Sequence, residues 1–172
     1  MEIKRIVVGP LATNCYILTI DNDALIIDPG AEFSKISSFL KDKKVLAILI
    51  THNHFDHIGC LSSFKDIPIY DGNNLKEKEY QIGRFVFDVI MTKGHSEDSI
   101  SFYFKNNNIL FSGDFLFYEN IGRTDLPTGN DYDMQKSIKK IIKYPPNMII
   151  YPGHGCETSL QHEIQNNSYL KK

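Results

Sequence analysis

Thr51-His52-Asn53-His54-Phe55-Asp56-His57 follows directly on the apolar run Val45-Leu46-Ala47-Ile48-Leu49-Ile50. An unbroken apolar run of this kind suits a strand buried on both faces. Three imidazoles and a carboxylate between His52 and His57 do not suit a core; they suit a metal site. In extended chain, residues two apart point to the same side, so His52 and His54 can chelate one ion. Asp56 and His57 lie where the chain turns toward a helix, and they can aim at a neighbouring position. One short stretch thus has donors for two ions.

Three other apolar runs end in the same manner. Phe85 to Met91 runs into Thr92-Lys93-Gly94-His95, Ile109-Leu110-Phe111 into Ser112-Gly113-Asp114, and Met148 to Tyr151 into Pro152-Gly153-His154-Gly155. In layered α/β proteins, sites collect in the crevice beyond one set of strand ends. Glycine beside His95, Asp114 and His154 lets the backbone turn tightly and approach a bound group. Taken singly, His95 is an ordinary hydrogen-bonded histidine and Asp114 a turn residue. Beside the dense cluster, three matching strand ends make coincidence a poor account. His162 has no such context and reads as a surface helix residue. His95 and His154 can complete two sites and Asp114 can bridge them. Imidazole and carboxylate without thiolate suit zinc, iron or manganese.

The remaining pattern predicts strands over 3–8, 14–20 and 24–28, the last two joined by a hairpin turn at Asp21-Asn22-Asp23. Phe33, Ile36, Phe39 and Leu40 predict an amphipathic helix over 32–43, and another helix starts behind the opening stretch over 57–64. Further strands are expected over 46–50, 68–70, 85–91, 99–104, 109–111 and 148–151. The segment 72–81 reads as polar and irregular, and 118–133 as loop. Met134, Ile138, Ile141 and Ile142 mark one late helix; a final one covers 158–166, with Thr158 as its N-cap candidate.

At 172 residues the chain suits a single domain with a real core, and 42% hydrophobic with 23% charged residues is ordinary for a globular protein. A net charge of -2 gives no broad drive toward nucleic acid or anionic membrane. No apolar run approaches the ~20 residues of a membrane span, and Ile6-Val7-Val8 is too short for a signal-peptide core. The expectation is a cytoplasmic protein. Cys15, Cys60 and Cys156 are odd in number and lack CxxC spacing, so three reduced thiols are expected.

His52-Asn53-His54-Phe55-Asp56-His57 resembles the H-x-H-x-D-H signature of the metallo-β-lactamase fold superfamily. The resemblance extends from Gly9-Pro10 with Asn14-Cys15-Tyr16 to Glu163, Asn166, Tyr169 and Leu170. It implies an α/β fold, a four-layer αββα sandwich with the site on one edge. It implies that His52, His54 and His95 hold one metal, that Asp56, His57 and His154 hold a second, and that Asp114 bridges the pair. Asp28 matches an early aspartate that supports the ligands from behind.

Within the superfamily, Ser112-Gly113-Asp114-Phe115-Leu116-Phe117, Ile121-Gly122-Arg123-Thr124-Asp125-Leu126-Pro127 and Tyr151-Pro152-Gly153-His154-Gly155 are similar to the short glyoxalase II-like hydrolases. That likeness implies one domain over 1–172, without the C-terminal helical domain of the full-length hydroxyacylglutathione hydrolase. It also implies a small-molecule thioester substrate and two divalent ions, zinc first. The nucleophile is then a metal-activated water whose pKa falls toward ~7. Asp56 is the candidate catalytic carboxylate, orienting that water. Arg123 is the candidate to meet a substrate carboxylate, or else it pairs with Asp125. Asp114 stands where the main zinc class of β-lactamases has cysteine, which argues against that activity. Persulfide dioxygenase chemistry on one iron is disfavoured by the complete second ligand set. Ester or lactone hydrolysis is the nearest alternative in mechanism. The chain departs from the family around His95, with Lys93 and Glu97-Asp98.

Overall fold

β1 (Glu2–Val8), β2 (Thr13–Ile20) and β3 (Asp23–Ile27) form an antiparallel meander. Ile20 pairs with Asp23, which leaves Asp21-Asn22 as a two-residue turn with Asp21 at φ 50°. A crossover through α1 (Phe33–Ser38) then lays β4 (Lys44–Leu49) parallel to β3, and β5 (Ile69–Tyr70) adds parallel to β4. The first sheet therefore runs β1-β2-β3-β4-β5. These relations come from a computed structural model that describes residues 1–171.

Between β4 and β5 lie α2 (Phe55–Ile58) and a 3-10 turn, Leu61–Ser63. The second half continues with β6 (Glu79–Ile82), β7 (Phe85–Met91), β8 (Ile100–Phe104) and β9 (Ile109–Gly113). A small hairpin, β10 (Leu116–Phe117) and β11 (Asn120–Ile121), precedes α3 (Asp131–Ile141). β12 (Ile149–Pro152), β13 (Thr158–Ser159) and α4 (Leu160–Asn166) close the chain. The second sheet runs β13-β12-β9-β8-β7-β6, with β12 parallel to β9.

Side-chain alternation accounts for the layers. Along β2, Tyr16 and Leu18 point to one face while Cys15 and Ile17 point to the other. The first pair joins Leu25, Ile27 and Leu49 against Phe85, Phe87, Phe102, Phe104 and Phe111 of the second sheet. The second pair packs with Ile26 and Ile48 against Ile36 of α1 and Phe64. On the far side of the second sheet, Ile90, Leu110 and Ile150 meet Met134, Ile138 and Ile141 of α3 and Leu160 of α4. Both sheets are covered on both faces, which is the four-layer αββα sandwich. No helix among the described residues is long and apolar enough to cross a membrane.

Several element bounds differ from the sequence pattern. The helix expected over 32–43 is only six residues long, although Phe39 and Leu40 keep its period. Lys44 must donate to Asn22 O to enter the sheet beside β3, so the chain unwinds through short turns at Leu40 and Lys43. The helix expected over 57–64 breaks at Gly59, where a Cβ would lie 2.2 Å from Gly30 O. Cys60 N there donates to Pro29 O instead of to the helix. The segment 72–81 contains most of edge strand β6, whose polar face is open to solvent. The loop 118–133 contains β11 and the start of α3. Ser159, not Thr158, caps α4, accepting from His162 N at 3.2 Å. Thr158 Oγ1 is engaged by the buried Glu163 at 2.6 Å.

Candidate metal centre

The ends of β4, β7, β9 and β12 meet at one edge of the sandwich and bring seven donors together. His52, His54 and His95 form one group, and Asp56, His57 and His154 form another; within each, one donor atom per residue lies within 4.8 Å of the others. Asp114 joins His52 and His57 in a third group within the same distance, so it reaches both sides. Its Oδ2 is 3.6 Å from His95 Nε2 and 3.4 Å from His154 Nε2, while its Oδ1 is 3.4 Å from His57 Nε2. These are the residues that the sequence brought forward as two ligand sets and a bridge.

The outer nitrogens of four rings explain why the inner ones are free. His57 Nδ1 faces Asp28 Oδ2 at 2.9 Å, His95 Nδ1 faces Arg123 O at 2.8 Å, and His154 Nδ1 faces Leu11 O at 3.1 Å. Each of these acceptors has no proton to give, so the ring must donate. Thr51 Oγ1 gives its proton to Asp28 Oδ2 at 2.7 Å, so it accepts from His52 Nδ1 at 3.2 Å. The Nδ1 proton is therefore fixed in all four rings, and in the neutral ring Nε2 is a lone pair aimed inward. His54 is turned the other way; its Nδ1 lies 3.1 Å from His52 Nε2 and 2.9 Å from His95 Nε2. Three ring nitrogens so placed cannot all be satisfied by one proton. His57 Nε2 and Asp114 Oδ1 are buried with no hydrogen-bond partner among the described residues. Converging lone pairs and orphaned buried atoms fit divalent cations and little else.

Charge differs across the cluster. Burial, with the charge of His57 added, pushes His52 well below the usual histidine range, and burial with His95 lowers His54. These rings stay neutral. For His57 burial acts downward but is overcome by Asp28 and Asp114, which raise it to about 10. For His154 burial is overcome by Asp114 and Asp56, and the ring rises to about 9. Burial would raise Asp56, yet bonds from His154 and Thr13 and the charge of His57 hold it well below the carboxylate range. Asp114 is held low in the same way by His154 and His57. The second side of the site calls for positive charge, and here protons supply what a cation would.

The local backbone is built for this convergence. Asp28 follows β3 in a left-handed conformation at φ 51° and accepts from Thr51 N at 2.8 Å as well as from Thr51 Oγ1 and His57. A Cβ on Gly153 would lie 2.2 Å from Asp114 Oδ1 and 2.8 Å from His57 Cε1, so only glycine lets β12 end this close to the cluster.

Of the two roles offered for Arg123, the structure shows the pair with Asp125. Its guanidinium is exposed and makes a bidentate pair with Asp125, at 2.7 and 2.6 Å. The part of Arg123 that serves the site is its carbonyl, behind His95. Thr13 was not foreseen: its hydroxyl donates to Asp56 Oδ2 at 2.8 Å. Neither was Leu11, since a backbone carbonyl leaves no trace in side-chain chemistry. His162 lies on α4, bonded to Glu119 and stacked on Tyr118, away from the cluster. All three cysteines are free, and none is a donor in these groups.

The metallo-beta-lactamase superfamily model matches residues 8–72 and 68–154, and the chain belongs to that superfamily. It is 36% identical to a probable metallo-hydrolase, YqgX, of Bacillus subtilis, over 99% of this chain and 98% of that protein. It is 28% identical to the hydroxyacylglutathione hydrolase GloC of Haemophilus influenzae, over 99% and 98%. Among solved structures it is similar to the BLEG-1 B3 metallo-β-lactamase, with TM-score 0.94, 36% identity and 99% and 100% coverage. It is also similar to TTHA1623 in a di-iron-bound form, with TM-score 0.89, 29% identity and 96% and 99% coverage. The chain is thus a metallo-hydrolase of this superfamily, with His and Asp candidates for divalent metal.

Proposed function

We propose that this chain is a binuclear hydrolase that cleaves small-molecule thioesters, of which a hydroxyacylglutathione is one example. His52, His54 and His95 would hold the first ion, Asp56, His57 and His154 the second, and Asp114 would serve both. The observation that carries this is the inward-facing Nε2 of four rings, each ring oriented by an acceptor behind its Nδ1. Zinc suits the imidazole and carboxylate donors, and iron is the alternative that the di-iron neighbour favours.

When bound, two such ions supply a water activated near neutral pH and positive charge for a carbonyl oxygen. Asp56, held by Thr13, orients that water by accepting its hydrogen bond. A thiol leaving group has a pKa near ~8.5 and departs without a proton from the chain. The substrate reaches the centre from an open cleft of about 490 Å³ beside His54, lined also by Asn73, Glu97, Leu126 and Thr128. Arg123 is paired with Asp125 and does not line this cleft. Likeness to GloC supports the thioesterase reading.

β-Lactam ring opening is the second reading, favoured by the 36% identity to a protein named as a B3 metallo-β-lactamase. The experiment is an activity panel on the chain loaded with zinc, iron or manganese. It includes S-lactoylglutathione, a simple acyl-thioester, an ester, a lactone and a chromogenic cephalosporin. Thioester turnover above the others supports the first reading. Cephalosporin turnover with silent thioesters replaces it with the second.

A further inference from the structure

We infer that Asp98 is a positioning residue for the first donor set, clamping the loop that carries His52 and His54 to the loop that carries His95. Its Oδ2 accepts from Asn53 N at 3.0 Å and Asn53 Nδ2 at 2.7 Å, and Asn53 is the residue between the two histidines. Its Oδ1 accepts from Ser96 Oγ at 2.6 Å, and Ser96 follows His95 directly. One carboxylate is therefore bonded to the chain neighbours of all three ligands. Each ligand loop also reaches its neighbours independently. Asn53 Nδ2 reaches Asp71 Oδ2 at 3.0 Å, and Ser96 Oγ meets Ser99 Oγ at 2.6 Å. Gly72 packs so tightly under this turn that a Cβ there would lie 2.0 Å from Asp98 O. Asp98 is thus seated from below while its carboxylate ties the two loops.

The physical need is clear from the groups behind the other rings. His57 is backed by the buried Asp28 carboxylate, but His54 has its Nδ1 turned inward and its Nε2 makes no hydrogen bond among the described residues. Its placement depends on the backbone at Asn53, which Asp98 holds. Partners of this outer kind are worth about 10–100-fold in metal affinity.

This inference rests on the proposed two-ion site, and its test separates the two. The full chain is loaded with zinc and mixed with an excess of a chromogenic chelator, and zinc release is followed in time. His95→Ala identifies the phase that belongs to the first donor set. In Asp98→Ala that phase is expected to quicken about 10–100-fold, with the other phase unchanged. In Asp98→Asn it stays close to the parent, because the carboxamide oxygen still accepts from Asn53 and its amide donates to Ser96 Oγ. Ser96→Ala cuts a single arm and gives a smaller quickening of the same phase; it decides the matter if Asp98→Ala does not fold. Parental release in Asp98→Ala, equal quickening of both phases, or an Asp98→Asn variant as fast as the alanine overturns the clamp. A parent that binds only one zinc ion removes the two-ion reading, and the same variants then judge the clamp on that ion.

Discussion

His52 and His54 of the first donor set are held neutral by burial, whereas His57 and His154 of the second are raised by the carboxylates around them, Asp28, Asp56 and Asp114. The first set leans on the Thr51 hydroxyl, the Arg123 carbonyl and the backbone at Asn53; the second leans on the Asp28 carboxylate behind His57, the Thr13 hydroxyl behind Asp56 and the Leu11 carbonyl behind His154. Both sets have one partly open histidine, His54 in the first and His154 in the second. The two donor sets would therefore not hold their ions alike. The first would hold its ion through three imidazoles and Asp114, the second through two imidazoles, Asp56 and Asp114, so the second side carries more negative charge.

Substitutions can strike these supports separately. Gly153→Ala drives a Cβ into Asp114 Oδ1 and the His57 ring. It is expected to displace the second ion, disturb the shared bridge and lower turnover by at least about 10²-fold, measured as zinc content and kcat. Asp28→Ala removes the partner of His57 and both acceptor contacts to Thr51 behind His52. Breaking that buried pair should cost about 3 kcal/mol in denaturant unfolding of the metal-free chain and weaken both ions, the second more. Thr13→Val removes only the donor to Asp56; competition with a chelator should show about a 10-fold loss for the second ion and none for the first. Arg123→Ala leaves the carbonyl behind His95 in place and deletes an exposed ion pair. Neither the denaturant midpoint nor the zinc content should change measurably.

The candidate donors were legible in the sequence because each ends an apolar run that is itself easy to see. Val45 to Ile50 and Phe85 to Met91 declare buried strands, and the residues just past the end of a buried strand open into a common crevice at the sheet edge. The layers were legible through the family signature more than through periodicity. Phe33, Ile36, Phe39 and Leu40 keep a helical period past the point where the chain must turn back to β4, so the pattern overstated α1. Glu79 to Ile82 lies at a sheet edge with one face in water, and its polar residues concealed a strand. The supports of the site were the least legible part. Leu11 and Arg123 act through carbonyl oxygens, which every residue possesses. Thr13 lies 43 positions from Asp56, and Asp98 lies 45 from Asn53, so only the fold shows that they touch.

Crystals of the zinc-loaded chain, with anomalous scattering recorded on both sides of the zinc edge, would locate the ions. Two peaks per chain are expected, one among His52, His54 and His95 and one among Asp56, His57 and His154, with Asp114 reaching both. A single peak in the first set, with Asp56, His57 and His154 holding only protons and water, would contradict the account.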